Sequence, residues 1–329
     1  MRGGRIRFTI IFSLMVVSLG WGPCFGRHET WRVEGVPLSA KQGDVFRLRV
    51  TVDGRGVPSG LFQGTAILFY PQETGKGYEA LLGVDLECPA GIYPLQVGIE
   101  EEGRASVRLF QIEVTEAFFG VQRITLPPEM VHLDEQSLRR VRAERRRMEE
   151  LWAARSDSHL WQGEFLIPLE GGISTSFGVR RILNGEKRGR HNGIDIKAPR
   201  GTTVICPNEG RVVMVDELFF GGRTVVIDHG MDVFSFYMHL DTVAVTINQE
   251  IRKGDIIGTV GSTGRATGPH LHWGVRLNGA RVDPLSLMEV MADDTKAIRN
   301  ARKLHYLGEK RKKRTENGEN VRKRRYNLD

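Results

Sequence analysis

The first half of the chain alternates apolar and polar residues over short segments that turn-forming residues separate. Residues 46–52 alternate strictly, and residues 66–70 form a compact apolar run. Residues 107–114 alternate again, with one change of phase in the middle that is typical of a β-bulge. Several short strands between Gly- and Pro-containing turns predict a β-sandwich over residues 27–127.

A different periodicity follows a pair of prolines. Between Asp134 and Trp152, apolar residues recur at helical spacing among Arg and Glu, which predicts an amphipathic helix. We therefore interpret residues 128–160 as a helical linker. Residues 161–292 are rich in apolar runs and glycine turns, and they predict a second, antiparallel β domain. The fold expected from the whole pattern is all-β.

The two ends of the chain differ in composition from these domains. Residues 1–26 begin with three arginines, continue with an apolar core and end in small residues. This is the order of a secretory signal peptide, so we expect an exported protein in the periplasm or cell envelope. An uncleaved N-terminal anchor is the alternative, although the apolar core is short for a membrane span.

The basic charge of the protein is concentrated in its C-terminal tail. Residues 295–329 hold thirteen Lys and Arg against four Asp and Glu, whereas the net charge of the whole chain is only +7. Residues 293–329 are also poor in apolar groups, which predicts a disordered basic tail. A merely solvated end is one interpretation; we slightly favour adhesion to an anionic wall or membrane surface. Nucleic-acid binding is the least favoured because export separates the protein from it.

Two cysteines remain once the signal peptide is removed, Cys88 and Cys206. They lie in different halves of the chain. An exported protein permits a disulfide between them. Two buried, unpaired thiols are the simpler expectation, because free cysteine behaves as a small buried hydrophobe.

Three segments of the second domain concentrate residues that bind metals. They are HNGID at 191–195, FSFYMHL at 234–240 and GPHLHW at 268–273. Successive side chains of a strand point to opposite faces, so His270 and His272 are expected to share a face. His191 and Asp195 are also an even number of residues apart and share a face if the segment is extended.

The same alternation predicts two faces for segment 234–240. Its even-numbered residues are apolar and are expected to pack into the core. Its odd-numbered residues are polar and are expected to face the site; they are Ser235, Tyr237 and His239. One packed face and one working face are typical of an antiparallel sheet.

Two imidazoles and a carboxylate are a common ligand set for catalytic zinc, with the fourth position open to water. His191, Asp195 and one histidine of the 270/272 pair can supply this set. The remaining histidine and His239 would stand beside the metal, where one imidazole can transfer a proton and another can stabilise an oxyanion. Each segment alone is a weak signal, and it is their concentration in one domain that favours a metal site.

These segments resemble the lysostaphin-like zinc metallopeptidases, peptidase family M23. The resemblance runs from about residue 161 to 287 and includes PLEGGISTSFG at 168–178 and GSTGRATGPHLHW at 261–273. It implies zinc held by His191, Asp195 and His272, with His239 and His270 as the catalytic imidazoles. It also implies an antiparallel β core with a groove and a peptidoglycan peptide as substrate. The first half of the chain looks like the immunoglobulin-like module that precedes some wall enzymes.

Three further residues are candidates for substrate binding. Asn184 lies just before the first ligand; in latent relatives an upstream asparagine can occupy the fourth zinc position, but a local turn hydrogen bond is the favoured role here. Arg181 suits a substrate carboxylate or, equally, a structural salt bridge. Tyr237 is expected to line the groove because alternation places it on the face of His239.

We therefore expect an exported zinc endopeptidase that cuts cross-links or stems of peptidoglycan. A non-catalytic, M23-like activator of wall amidases is the alternative, and the complete set of five site residues disfavours it. An interaction protein that acts through its basic tail is a third hypothesis. The bond cut and the oligomeric state do not follow from the sequence.

Overall fold

The computed structural model describes residues 31–292 except 55, 73–74, 102 and 155, and it leaves the side chains of 187 and 188 undescribed. The expected signal peptide at 1–26 and basic tail at 293–329 lie outside the described residues, so both remain predictions. In the part of the chain that is described, no helix has the length and apolar character needed to cross a membrane.

The first domain consists of two stacked sheets. Its strands are β1 (Trp31–Glu34), β2 (Ser39–Lys41), β3 (Val45–Val52), β4 (Val57–Phe62), β5 (Thr65–Ala66), β6 (Tyr70–Pro71), β7 (Gly77–Gly83), β8 (Gly91–Glu101) and β9 (Arg104–Thr115). One sheet has the order β1-β3-β7-β6, and the other has the order β2-β9-β8-β4-β5. Leu48 and Val50 of one sheet pack with Leu95 and Val97 of the other in a single core. Alternation thus forms a sandwich with an apolar interior.

The second domain is built on one large sheet of ten strands. Its elements are β11 (Gly172–Thr175), β14 (Ile194–Lys197), β15 (Thr203–Ile205), β16 (Gly210–Leu218), β17 (Gly222–Asp228), β18 (Val233–Val243), β19 (Glu250–Ile251), β20 (Ile256–Val260), β21 (Leu271–Leu277), β22 (Ala280–Val282) and helix α2 (Pro284–Met291). The main order is β11-β14-β21-β18-β17-β16-β19. The expectation of a mostly β protein is confirmed.

A small third sheet links the two domains. Strand β10 (Val121–Ile124) leaves the sandwich and pairs in parallel with β12 (Arg180–Leu183), which pairs with β13 (Glu186–Arg190). The chain therefore crosses the second domain before it enters the linker helix. The segment between the domains thereby becomes part of the second domain's surface.

Helix α1 (Glu135–Ala153) confirms the helix predicted between Asp134 and Trp152. Asp134 caps it, because its carboxylate accepts a hydrogen bond from the Ser137 N–H at 2.7 Å. Its apolar residues Met148 and Trp152 pack on Phe234 of the large sheet. The helix therefore packs on one face of that sheet in addition to connecting the two domains.

The two domains share a continuous apolar core and polar contacts. The guanidinium of Arg281 donates two hydrogen bonds to Asp85, at 2.6 and 3.0 Å, and a third to Glu87 at 2.9 Å. Burial raises the pKa of Asp85, but the bonds from Arg281 outweigh burial and hold it below its ordinary value. The core cluster that contains Leu86 of the first domain continues into Leu277 of the second. The sandwich is therefore packed against the sheet that carries the site.

Both described cysteines, Cys88 and Cys206, are buried and unpaired. The expectation of two free thiols is confirmed. Burial raises the pKa of Cys206 to about 12. The thiol is therefore protonated at neutral pH and serves as a small core side chain.

Candidate metal centre

Three side chains meet where strands β14 and β21 run side by side. Asp195 of β14 lies directly opposite His272 of β21 in the antiparallel register. His191 lies just before β14, where its N–H donates to Val179 O at 2.9 Å and its C=O accepts from Gly178 N. Backbone pairing therefore determines the positions of all three residues independently of contacts between their side chains.

The ligand atoms of these residues converge closely. His191 Nε2 lies 2.8 Å from Asp195 Oδ1 and 2.9 Å from His272 Nδ1, and His272 Nδ1 lies 2.9 Å from the same carboxylate oxygen. All three side chains are buried, with at most 4% of any residue exposed. The site is a compact cluster at the end of the sheet.

The chemistry of this donor set fits zinc. His191 Nδ1 lies 2.9 Å from Ser176 O and donates its proton there, which leaves Nε2 with a lone pair facing the cluster. The Asp195 carboxylate offers acceptors only. Acceptor lone pairs that face one another at such short distances in a buried site repel each other, and a cation between them would remove this repulsion. Two imidazole nitrogens and a carboxylate oxygen are ligands that zinc prefers.

The protonation states suit metal binding. Burial raises the pKa of Asp195, but the ring nitrogens of His191 and His272 beside the carboxylate outweigh burial and hold this pKa well below its usual range. Burial lowers the pKa of His272 to about 4. At neutral pH the carboxyl is therefore ionised and the imidazole neutral, which are the forms that bind metals.

Arg181 holds the second oxygen of the same carboxylate. Its Nη2 donates to Asp195 Oδ2 at 2.9 Å, and the side chain of Arg181 is only 28% exposed. The structure thus shows the salt bridge that was one of the two expectations for Arg181. This contact turns the other oxygen, Oδ1, toward the two histidines.

His239 and His270 stand beside the cluster with similar hydrogen bonds. Nδ1 of His239 donates to Thr263 O and Nδ1 of His270 donates to Gly268 O, both at 2.8 Å. The ring centroids are 4.7 Å apart, and His270 Nε2 lies 3.8 Å from Asp195 Oδ1. Because each Nδ1 is occupied, each Nε2 is left for chemistry in the cleft.

Comparison with known proteins agrees with this geometry. The model of peptidase family M23 matches residues 189–284, a range that contains all five of these side chains. Residues 189–284 therefore match a peptidase family M23 domain. A crystal structure of a putative M23 peptidase from Pseudomonas aeruginosa has a TM-score of 0.59 at 28% identity, over 77% of this chain and 95% of that one.

Two curated relatives match about a third of the chain each. The peptidoglycan DD-endopeptidase ShyA of Vibrio cholerae is 39% identical over 121 residues, which are 36% of this chain and 28% of ShyA. The murein hydrolase activator NlpD of Escherichia coli is 36% identical over 119 residues, which are 36% of this chain and 29% of NlpD. The chain thus spans less than a third of the length of either relative.

Within the M23 domain, one of the sequence expectations is wrong. Tyr237 was expected to line the groove, but it lies opposite Trp273 and is fully buried in the core. Its hydroxyl is 2.6 Å from Ser235 Oγ. Met238, not Tyr237, lies opposite His272, so the even-numbered residues share the face of the site.

The reason is a break in the strand at His239. Its φ is +63°, a left-handed conformation that non-glycine residues rarely adopt, and its N–H donates to Gly221 O at 2.7 Å. The pairing with β20 also shifts register beyond Leu240. His239 therefore lies on the same face as Met238, against simple alternation.

Asn184 lies in a turn and is not part of the cluster of candidate metal ligands. It has a φ of +48° between β12 and β13. Its carboxamide accepts from Leu126 N and donates to Leu126 O, both at 2.9 Å. The turn alternative fits this geometry, and Asn184 fastens the interdomain segment beside the cleft.

The cluster opens into a cleft of about 470 Å³. Its lining includes Arg181, Asp195, His239 and His270, together with residues that the sequence reasoning missed: Gln122, Ile124, Leu126, Lys197 and Arg265. A signal existed for Lys197, which follows Asp195 by two positions on a predicted strand. No local signal existed for the residues of β10, because a parallel pairing between distant segments places them there.

Proposed function

We propose that this protein is an exported zinc endopeptidase that hydrolyses peptide bonds in peptidoglycan. The observation that carries the proposal is the convergence of His191, Asp195 and His272 beside His239 and His270 in an open cleft. The relative ShyA, which matches this domain, is named a peptidoglycan DD-endopeptidase.

Two of the three ligands, Asp195 and His191, are held by hydrogen bonds from outside the cluster. Bound zinc would supply a Lewis acid for the scissile carbonyl and lower the pKa of water. Arg181 fixes the carboxylate of Asp195, and Ser176 O fixes the ring of His191. Such outer contacts keep the ligands in place before metal or substrate arrives.

The two remaining imidazoles divide the proton chemistry. We assign His270 as the general base because its Nε2 lies close to the ligand cluster, 3.8 Å from Asp195 Oδ1. We assign His239 to stabilise the oxyanion of the tetrahedral intermediate once its ring is protonated, because the neutral ring carries its proton at Nδ1 and has no donor at Nε2. The similar hydrogen bonds of the two rings leave an exchange of these roles open.

The experiment is a digest of purified cross-linked peptidoglycan, read by mass spectrometry. It compares the unmodified protein, a chelator-treated sample, the ligand variant His191→Ala and the control His132→Ala, whose ring is exposed beside Glu186. We expect new peptide ends with the unmodified protein and the control alone. Their masses identify the bond that is cut.

The alternative is an activator of wall amidases, because the relative NlpD is named a murein hydrolase activator. It predicts no new ends from the protein alone and stimulated release of stem peptides when an amidase is added. The ligand variant separates the two hypotheses further. An activator is expected to stimulate the amidase whether or not His191 and its zinc are present, whereas the endopeptidase requires both.

The proposal for export rests on residues 1–26, and adhesion to anionic surfaces rests on residues 293–329. Removal of the tail is expected to weaken binding to anionic wall or vesicles while cleavage of soluble peptides is retained. Loss of peptide cleavage on tail removal would contradict this assignment.

A further inference from the structure

Three positively charged side chains line the cleft, and they differ in how they are held. Arg181 is bound to Asp195. The guanidinium of Arg265 stacks over Phe220, with its carbon 3.9 Å from the ring centroid, and donates to Met130 O at 3.3 Å. Lys197 is exposed, and no hydrogen bond or ion pair joins its side chain to another described residue. Lys197 is therefore the lining cation that is available to a ligand.

The backbone places Lys197 close to the reacting centre. It follows Asp195 by two residues in β14, so both side chains stand on the same face of the sheet. Their Cα atoms are about 6.6 Å apart at the usual strand rise. Opposite Lys197 on the edge strand β11 is Gly172, which has no side chain to cover the lysine. Lys197 therefore borders the cleft beside the ligand cluster with its side chain exposed to solvent.

The charges of the cleft favour an anion at this position. Among the described lining residues, the one carboxylate is Asp195. It is already engaged by Arg181 and by the two histidines of the cluster. No acidic side chain of the lining is left to neutralise Lys197, so a carboxylate of the bound peptide is its natural partner.

We propose that Lys197 binds a free carboxylate of the substrate peptide, within about two residues of the scissile bond at extended-chain spacing. The protein then prefers peptides whose carboxylate is free over the same peptides with that carboxylate amidated. This inference rests on the proposed function and adds substrate selection to it. The carboxylate has two chemical sources, a side-chain carboxyl beside the scissile bond or the C-terminal carboxyl of the peptide.

The test uses three versions of a synthetic peptide with the sequence of a cross-linked peptidoglycan stem. One has both carboxylates free, one has the side-chain carboxyl amidated and one has the C terminus amidated. Steady-state kinetics of the full chain are compared with those of Lys197→Gln, the charge-conserving Lys197→Arg and the control Lys76→Gln, an exposed lysine of the first domain.

We expect one amidation to raise KM about tenfold, with kcat within about twofold, for the unmodified protein and for Lys76→Gln. Lys197→Gln is expected to treat the free and the amidated peptide alike, and Lys197→Arg to restore the preference. The amidated peptide that shows the effect identifies the source of the carboxylate. Unchanged melting temperature and zinc content of Lys197→Gln separate substrate binding from misfolding.

A measurement of peptide affinity tests this inference independently of the proposed function. Calorimetric affinities of the free and amidated peptides for the His270→Ala variant test Lys197 without turnover, with the double variant His270→Ala/Lys197→Gln as the comparison. A preference for the free carboxylate that disappears in the double variant supports the role of Lys197 even if no peptide is cut. Equal affinities, or a preference that survives in the double variant, overturn it.

Discussion

The two faces of the large sheet are made by the same strands but have opposite characters. On one face, Ile194, Ile196 and Trp273 are fully buried and apolar. On the other face, Asp195 and His272 alternate with them and meet as a polar cluster. Along each strand, a buried apolar residue is thus the immediate neighbour of a candidate metal ligand. The apolar face fixes the backbone, and the backbone fixes the ligands to within hydrogen-bonding distance.

The largest effect is expected from removing a ligand on the polar face. Asp195→Ala should abolish stable zinc binding and lower cleavage by more than about 10³-fold. It also leaves Arg181 buried without its partner. Zinc content by mass spectrometry and peptide cleavage measure the effect, with Asp216→Ala, a surface carboxylate paired with Arg147, as the control. Full zinc content with undiminished cleavage would contradict the assignment.

The neighbouring residue on the apolar face should affect stability instead. Trp273→Ala removes a large, fully buried side chain and is expected to lower the free energy of unfolding by about 3–5 kcal/mol. Urea denaturation measures it, and the exposed Leu109 of the sandwich provides a control variant, Leu109→Ala. A loss below about 1 kcal/mol would show that this face does not carry the fold.

A variant at His239 should separate catalysis from metal binding. His239→Asn is chosen because asparagine tolerates the left-handed backbone found there. We expect kcat to fall about 10²- to 10³-fold with zinc content unchanged. Zinc loss in this variant would place His239 among the ligands and overturn its assignment as a catalytic imidazole.

The smallest effect concerns a buried histidine away from the cluster. Burial lowers the pKa of His229 to about 4, and its ring bonds to Glu209 O and Ser235 Oγ. The unfolded chain therefore takes up a proton near pH 6.5 that the folded protein does not accept until about pH 4. The stability due to neutral His229 is present above pH 6.5 and is lost as pH falls toward 4.

The slope between these values should approach about 1.4 kcal/mol per pH unit from this residue. Denaturation of His229→Gln at several pH values is expected to show a smaller slope than the unmodified protein. Leu109→Ala, which removes an exposed side chain without a titratable group, should leave the slope unchanged. Equal slopes for His229→Gln and the unmodified protein would mean that His229 is not the group responsible.

Much of this arrangement could be predicted because the local patterns are strong. The helical spacing of apolar residues between Asp134 and Trp152 predicts α1 to within a residue or two. Asp195 on β14 lies opposite His272 on β21, and His191 and His270 directly precede these two strands. The even spacing of the pairs 191/195 and 270/272 therefore predicted residues that meet in one site. These features depend on a few neighbouring residues, and the sequence displays them directly.

The features that were missed depend on contacts between distant segments. The face of Tyr237 was wrong because alternation assumes an unbroken strand, whereas His239 reverses the phase with a left-handed backbone. The cleft wall formed by Gln122 requires β10 to pair with β12, more than 50 residues later in the chain. Neither feature has a local signal, since tertiary packing decides both.

The measurement that most directly tests the central claim is a zinc titration of metal-free protein, followed by cleavage of cross-linked peptidoglycan. If His191, Asp195 and His272 form the reacting centre, cleavage is absent without metal and reaches its maximum at one zinc per chain. In Asp195→Ala the same titration stays flat. Undiminished cleavage by metal-free protein, or by Asp195→Ala, would contradict the account.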